Sequence, residues 1–211
     1  MQWRSNSKLL IQNAHTMTIF IDMMRLTYQR HAAYCVSHGF DYWHHIGNPC
    51  PEREWGAWDK VHLIREALSS GYEFIAWLDT DAVISGDADL SDTLQAGQHI
   101  GGCVHDANGI PRHINVGVLY FRNTPETVQF VENWHAGYPG DNRWREQGTF
   151  NDLITKYPGV VTELPDTWNS TYRVNQIEGA AVMAWHGVVP LPRRFEMMKS
   201  TLVNDYLKYR V

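Results

Sequence analysis

The run Phe74-Ile75-Ala76-Trp77-Leu78 drives straight into Asp79-Thr80-Asp81, and the chain then turns apolar again at Ala82-Val83-Ile84. Five apolar residues without a polar interruption fit a strand buried on both faces of a sheet. An ionised carboxylate is costly to bury without a partner. The two aspartates are therefore expected at the strand's C-terminal end, where open α/β sheets present their ligands. In extended backbone, residues i and i+2 point to one side. Two carboxylates placed that way repel, and a divalent cation that favours oxygen ligands, Mg²⁺ or Mn²⁺, would relieve the repulsion. The plainer reading is a turn or a helix cap, since Asp is common after strands in both roles.

A chain of 211 residues, 44% hydrophobic and 19% charged, can bury a full core. We expect one domain over residues 1–211, with 1–15 and 195–211 as peripheral segments. The net charge of −5 and the lack of a long basic run argue against nucleic acid and against anionic membranes as partners. Cys35, Cys50 and Cys103 are scattered and form no C-x-x-C, so neither a zinc ribbon nor a disulfide framework is indicated. A reducing, cytoplasmic setting is the expectation. Leu9-Leu10-Ile11 is too short for a signal-peptide core or a membrane span.

Hydrophobic periodicity predicts a strand at 16–21, a helix over 26–38 closed by Gly39, and a strand at 40–46. Strand, helix, strand suggests a βαβ unit and hence a mostly parallel sheet flanked by helices. A helix at 55–70 precedes the central strand. Residues 87–94 read as polar and turn-like. Strands follow at 99–105 and 114–121, where Asn115 and Gly117 interrupt an otherwise apolar run. Thr124-Pro125 is a helix start, with Thr124 as cap. Loops are expected at 106–112 and 137–143, a further helix at 144–156, and strands at 160–164 and 180–185. The last of these delivers His186-Gly187. The tail beyond Pro190 reads as helical. His44-His45 is read as two ordinary histidines, because strand neighbours face opposite ways.

The ordered set Trp58-Asp59-Lys60, Trp77-Leu78-Asp79-Thr80-Asp81, Ile114-Asn115-Val116-Gly117-Val118, Arg145-Glu146-Gln147-Gly148 and Trp185-His186-Gly187 resembles the nucleotide-sugar-dependent glycosyltransferases of the GT-A fold. Within them it is most similar to glycosyltransferase family 34, the galactosyl-, mannosyl- and xylosyltransferase group. The resemblance spans roughly residues 16 to 190, and no single motif within it is specific by itself.

The resemblance implies a metal-dependent retaining transferase that uses a nucleoside diphosphate sugar, with uridine diphosphate favoured over guanosine, and a glycan acceptor on an oligosaccharide or glycoprotein. By the family's pattern Asp79, Asp81 and His186 would hold Mn²⁺ or Mg²⁺, which stabilises a leaving diphosphate as a Lewis acid. Trp58, Lys60, Thr80, Asn115 and Gly117 match positions about the donor, and Gly187 and Arg193 stand near its phosphate end. Lys60 would offset diphosphate charge or hold Asp79; a solvated helix lysine is the plain alternative. Glu146 and Gln147 match a polar pair beside the reacting carbon. In the family a glycine follows the late histidine after two residues and a basic residue soon after. Here Gly187 follows His186 directly, and the next basic residues are Arg193 and Arg194, so which arginine serves the site is left open. A double displacement would need Glu146 or Asp152 as nucleophile; a front-side route needs neither and is preferred. Two rival readings stand beside this one. Leu78-Asp79-Thr80-Asp81-Ala82-Val83 also resembles the opening motif of haloacid-dehalogenase-type phosphatases. A catalytically silent nucleotide-sugar binder would carry the same donor site.

Overall fold

The computed structural model describes residues 6–53, 56–106, 111–139 and 144–208. The elements in chain order are β1 (Lys8–Ala14), α1 (Thr18–His38), β2 (Phe40–Ile46), α2 (Asp59–Ser69), β3 (Phe74–Leu78), β4 (Ala82–Ile84), β5 (Ile100–His105), β6 (His113–Arg122), α3 (Pro125–Ala136), α4 (Arg145–Lys156), β7 (Val161–Leu164), β8 (Ser170–Thr171), β9 (Val182–Ala184) and α5 (Leu191–Lys208). The main sheet has the order β2-β1-β3-β6-β5-β7, and a small second sheet has the order β4-β9-β8. In the main sheet β1 pairs in parallel with β2 and β3, and β7 in parallel with β5; β6 alone runs against its neighbours β3 and β5. The expected mostly parallel α/β sheet is thus observed.

Alternation along each strand divides the core in two. Leu9, Ile11, Ile75, Trp77, Leu119 and Phe121 face α2, α3 and α4. Leu10, Phe74, Ala76, Leu78, Val118 and Tyr120 face α1 and the small sheet. β3 is buried along its whole length, as its unbroken apolar composition requires. The sheet's interior also explains Gly101: a Cβ there would lie 2.7 Å from Leu164 Cδ1 and 2.9 Å from Leu94 Cδ2.

Two expectations are corrected at the N-terminus. The first strand is not 16–21 but Lys8–Ala14, and it lies inside the sheet between β2 and β3 rather than in a peripheral segment. Residues from Thr18 onward belong to α1. The β-branched residues at 16–21 favour a strand locally. The stripe Met23, Met24, Thr27, His31, Tyr34 and Cys35 is nevertheless buried at helical spacing, and its packing decides the segment. Gly39 ends the helix as expected, in the left-handed conformation at φ 68°. Thr124 caps α3 by accepting from Thr127 N at 3.2 Å. The loops expected at 106–112 and 137–143 lie partly outside the described residues, as does the start of the helix expected at 55–70. Among the described residues no helix is long and apolar enough to cross a membrane.

α1 is tied to the small sheet by a buried histidine. Ile84 N–H donates to His31 Nε2 at 3.2 Å, so that nitrogen carries no proton. Burial, assisted by the Arg30 charge, pushes the His31 pKa down to about 3. An unfolded histidine binds a proton near pH 6.5 whereas the folded one does not, so stability falls as pH drops from that value toward the folded pKa. Urea unfolding should show the wild type losing about 2 kcal/mol more than His31→Gln between about pH 6.5 and pH 5, at about 1.4 kcal/mol per pH unit. Parallel losses in the two proteins would assign the acid sensitivity to other groups.

Candidate active site

The site forms where β3 ends. Asp79 N–H donates to Gly117 O at 2.7 Å, and Ala82 N–H donates back to Asp79 O at 3.0 Å, which closes a turn over Thr80 and Asp81. β4 then pairs antiparallel with β9, Ala82 opposite Ala184. The next pair outward is closed by Trp185 N–H donating to Asp81 O at 3.0 Å. That register brings His186 to Asp81 from more than a hundred positions away in the chain. Gly117 makes room for it: a Cβ there would lie 2.2 Å from His186 Cε1.

Each aspartate has its own cation. Lys60, on α2 and buried, lies 3.0 Å from Asp79 Oδ1 and 3.3 Å from Glu146 Oε1. It also donates to Val116 O at 3.1 Å. Trp77 Nε1 donates to Asp79 Oδ1 at 2.8 Å. Burial alone would pull the Lys60 pKa down, but the Asp79 and Glu146 carboxylates outweigh it and hold the ammonium above its ordinary value. Burial pushes Glu146 up, against the pull of Lys60. Arg194, from α5, donates to Asp81 Oδ2 at 2.6 Å and to Val188 O at 3.0 Å. Burial pushes the Asp81 carboxyl up, but His186 and Arg194 beside it outweigh that and keep it below the usual carboxylate range.

One part of this centre is left unsatisfied. Asp81 Oδ1 faces His186 Nδ1 at 3.0 Å, yet the contact is not aligned as a hydrogen bond, and among the described residues Asp81 Oδ1 and His186 Nε2, both buried, find no hydrogen-bond partner. Orphaned buried polar atoms are rare in folded proteins and ask for an explanation. Ligand atoms of Asp79, Asp81 and His186 all lie within 4.8 Å of one another. Two carboxylates and an imidazole make a donor set that suits a divalent cation of the Mn²⁺ class.

The other residues singled out from the sequence fall into place as follows. Thr80 is buried in the turn between the two aspartates. Asn115 is buried on β6, on the same strand face as Gly117, with its Oδ1 accepting from Gly117 N at 2.9 Å. Gln147 Oε1 accepts from Val116 N at 3.3 Å, where β6 has no strand partner on that side. Gly187 is exposed beside His186 at φ 72°, a conformation glycine adopts without strain. Trp58 is not on the site's surface: it is fully buried, with its ring edge-on to Tyr138 and Arg53 over it. Arg193 is exposed, and the arginine that meets the aspartates is Arg194. Asp152 lies exposed on α4. Gln12 and Asn169 were not legible beforehand. Gln12, fully buried on β1, donates to Asp79 O at 3.3 Å. Asn169 meets Asn115. Gln12 gave no signal in advance, because the strand that carries it, Lys8–Ala14, was not expected.

A second cluster, Cys50, His62 and His135, also gathers possible ligand atoms within 4.8 Å. There Arg53 Nη2 lies 3.0 Å from His135 Nε2 and 3.3 Å from Nδ1. The guanidinium already sets a positive charge against the ring, so the cluster is read as packing between the β2–α2 loop and α3.

Removing the Lys60 cation would leave Asp79 and Glu146 facing each other without it. Lys60→Met should cost about 3–5 kcal/mol in urea unfolding. Lys60→Met combined with Glu146→Gln should recover part of that loss, because one of the stranded charges is gone. Additive losses in the double variant would show that the triad is not coupled.

The family model described as nucleotide-diphospho-sugar transferase matches residues 54–184, more than half of the chain. A search of curated proteins gives no match. Among solved structures, a glycosyltransferase involved in the glycosylation of the major capsid of PBCV-1 superposes with a TM-score of 0.73 at 16% identity, covering 92% of this chain and 98% of that one. The galactosyltransferase LgtC, solved with donor and acceptor sugar analogues, gives 0.54 at 14% identity over 91% and 95%. Mouse xyloside xylosyltransferase 1 gives 0.54 at 11% identity over 87% and 99%. At these identities the likenesses establish a shared GT-A fold, while the family match reaches further: the chain belongs to the nucleotide-diphospho-sugar transferase family and is a glycosyltransferase.

Proposed function

We propose that this glycosyltransferase is metal-dependent and retaining, and moves a sugar from a uridine diphosphate sugar to a hydroxyl of a glycan. The observation that carries the proposal is the convergence of Asp79, Asp81 and His186, two of whose buried atoms lack a hydrogen-bond partner among the described residues, at the C-terminal end of β3. Asp79, Asp81 and His186 would hold Mn²⁺ or Mg²⁺, and the bound cation would supply Lewis-acid stabilisation of the departing diphosphate. The uridine base is chosen because the metal-dependent transferases this sequence resembles mostly use it. An oligosaccharide or glycoprotein glycan is the acceptor class, in keeping with the capsid-glycosylating protein that shares the fold.

The chain's own residues set up the reaction by position. Lys60 spends its donors on Asp79, Glu146 and Val116 O, so it orients Asp79 rather than reaching toward phosphate. Arg194 orients Asp81 in the same way. These contacts hold both carboxylates in one direction before any ligand arrives, so no reorganisation is needed at the moment of reaction.

The same contacts favour the front-side route. Glu146 is pinned by Lys60 and Asp152 is exposed on α4, which leaves neither poised as a nucleophile. The acceptor oxygen bonds to the anomeric carbon as that carbon's bond to phosphate oxygen breaks, and the acceptor's proton passes to the leaving phosphate. The configuration is retained. Gln147, anchored through its Oε1 to Val116 N, keeps its amide NH₂ for the reacting sugar. Gln147→Ala should lower turnover by roughly 10- to 100-fold with donor affinity changed by less than about 3-fold, as for loss of a donor to developing charge. Unchanged turnover would remove Gln147 from the mechanism.

Titration calorimetry of UDP and of GDP, with Mn²⁺ and with chelator, tests the donor site directly. UDP should bind only with metal, and Asp81→Ala should abolish the binding. Binding of GDP alone would change the base; binding of neither would overturn the proposed donor site. Family membership argues against the phosphatase reading, and no hydrolysis of a simple phosphate ester is expected. A silent binder would bind donor yet never hydrolyse it slowly in the absence of acceptor.

A further inference from the structure

We propose that Asn169 is a positioning residue for the donor sugar: it fixes which end of the Asn115 amide faces the site. The inference rests on the donor-site reading above. Its starting point is a donor that cannot be misassigned. A backbone N–H only donates, so the Asn115 side-chain atom 2.9 Å from Gly117 N is the amide oxygen. The Asn169 atom 3.2 Å from that same oxygen must then be its NH₂ group. The Asn169 oxygen in turn accepts from Thr171 Oγ1 at 3.4 Å. With its hydroxyl proton so committed, Thr171 Oγ1 accepts from His105 Nε2 at 2.9 Å. Asn169 and Thr171 are fully buried and His105 nearly so, so water does not compete for these bonds.

The consequence falls on Asn115. Its oxygen is taken twice, by Gly117 N and by Asn169 Nδ2. Its NH₂ makes no hydrogen bond among the described residues. Strand alternation puts Asn115 on the face of β6 that Gly117 shares and that His186 lies against. Asn115 is thereby held as a donor of hydrogen bonds, suited to an acceptor such as a sugar hydroxyl oxygen, and its amide cannot turn over without stranding the Gly117 N–H. Asn169 stands on a segment that follows β7 and leads into β8, far from the motifs about the donor. It still governs the group on β6 that meets the sugar.

Asn169→Asp tests this with almost no change of shape. The new carboxylate has no proton for the Asn115 oxygen, so it repels that oxygen and favours the turned-over amide. Two readouts are needed. The first requires no donor: hydrogen exchange of the Gly117 amide should quicken at least about 10-fold more in Asn169→Asp than that of the slowest core amides, whose change reports the stability lost to the buried carboxylate, because its acceptor has turned away. The second follows donor hydrolysis with UDP-glucose, UDP-galactose and UDP-xylose, using whichever the wild type hydrolyses fastest. Asn169→Asp should lower kcat/KM by roughly 10- to 100-fold, the scale of one buried polar group left unpaired. The affinity for UDP with Mn²⁺, which lacks the transferred sugar, should stay within about 2-fold. In an Asn115→Ala background the Asn169 change should add nothing, since it acts through Asn115. Gly117 exchange that only keeps pace with the core amides, equal losses for UDP and for the UDP-sugar, or full additivity with Asn115→Ala would each overturn the proposal. Faster Gly117 exchange in a protein whose wild type neither binds UDP nor hydrolyses any donor would instead sink the donor-site reading and leave the amide lock standing.

Discussion

Two carboxylates on one side of a turn, at the edge of a dry strand, are the problem the molecule is built around. At an effective dielectric constant of 20, like charges about 5 Å apart repel by roughly 3 kcal/mol, and burial adds its own penalty. The chain answers with one cation for each. Lys60 reaches Asp79 from α2 on one side of the sheet, and Arg194 reaches Asp81 from α5 on the other. Glu146 shares Lys60, which leaves three carboxylates against two fixed cations. Asp81 Oδ1 and His186 Nε2, without a hydrogen-bond partner among the described residues, lie on the Asp81 side of the same centre. The two fixed cations thus offset part of the carboxylate charge gathered at this turn.

The surrounding fold supplies what this arrangement demands. β6 runs antiparallel between β3 and β5 and extends past the end of β3. On the side of β3 its stretch at 114–116 would leave backbone groups unpaired. α4 fills the gap with side chains: Asn151 Oδ1 accepts from Ile114 N at 2.8 Å and Gln147 Oε1 from Val116 N at 3.3 Å. The irregular strand, the helix laid against it and the polar residues on both thus answer one requirement, that every buried backbone group find a partner. A strand that ends its ladder early is where side chains of the sheet can face a ligand instead of a neighbour.

Much of this was legible in the residues. Phe74–Leu78 had no other good fate than a doubly buried strand, and carboxylates after such a strand must emerge at its end. Thr124-Pro125 announced a helix that begins where expected. The segment at 16–21 misled because its β-branched residues state a local preference, while α1 is decided by a buried stripe that runs from Met23 to Cys35, beyond that segment. Leu9-Leu10-Ile11 is only three residues of apolar sequence, and its place between β2 and β3 depends on partners that the sequence does not display. At the site, Asp79, Asp81 and His186 could be selected by type and order. Arg194 could not be separated from Arg193, because the choice rests on the rotational phase of α5. Asn169 carries no local signal of its own, since its partner Asn115 lies 54 positions away.

Register is the quantity that ties the late part of the chain to the site. His186 meets Asp81 only because Ala82 stands opposite Ala184 in a ladder of three residue pairs. A slip of one residue would turn every side chain of β9 to the other face, and a ladder so short does not hold its register by hydrogen bonds alone. The packing beneath it does. Val83 of β4 and Trp185, just past β9, share a buried cluster with Met23 of α1 and Met198 of α5. Trp185 in the wrong register would take its large side chain out of that cluster, at a cost of several kcal/mol. The helix that brings Arg194 to Asp81 therefore also locks the ladder that brings His186 there, and one apolar contact fixes two polar ones. A site whose two halves lie a hundred residues apart is made accurate by four side chains that take no part in its chemistry.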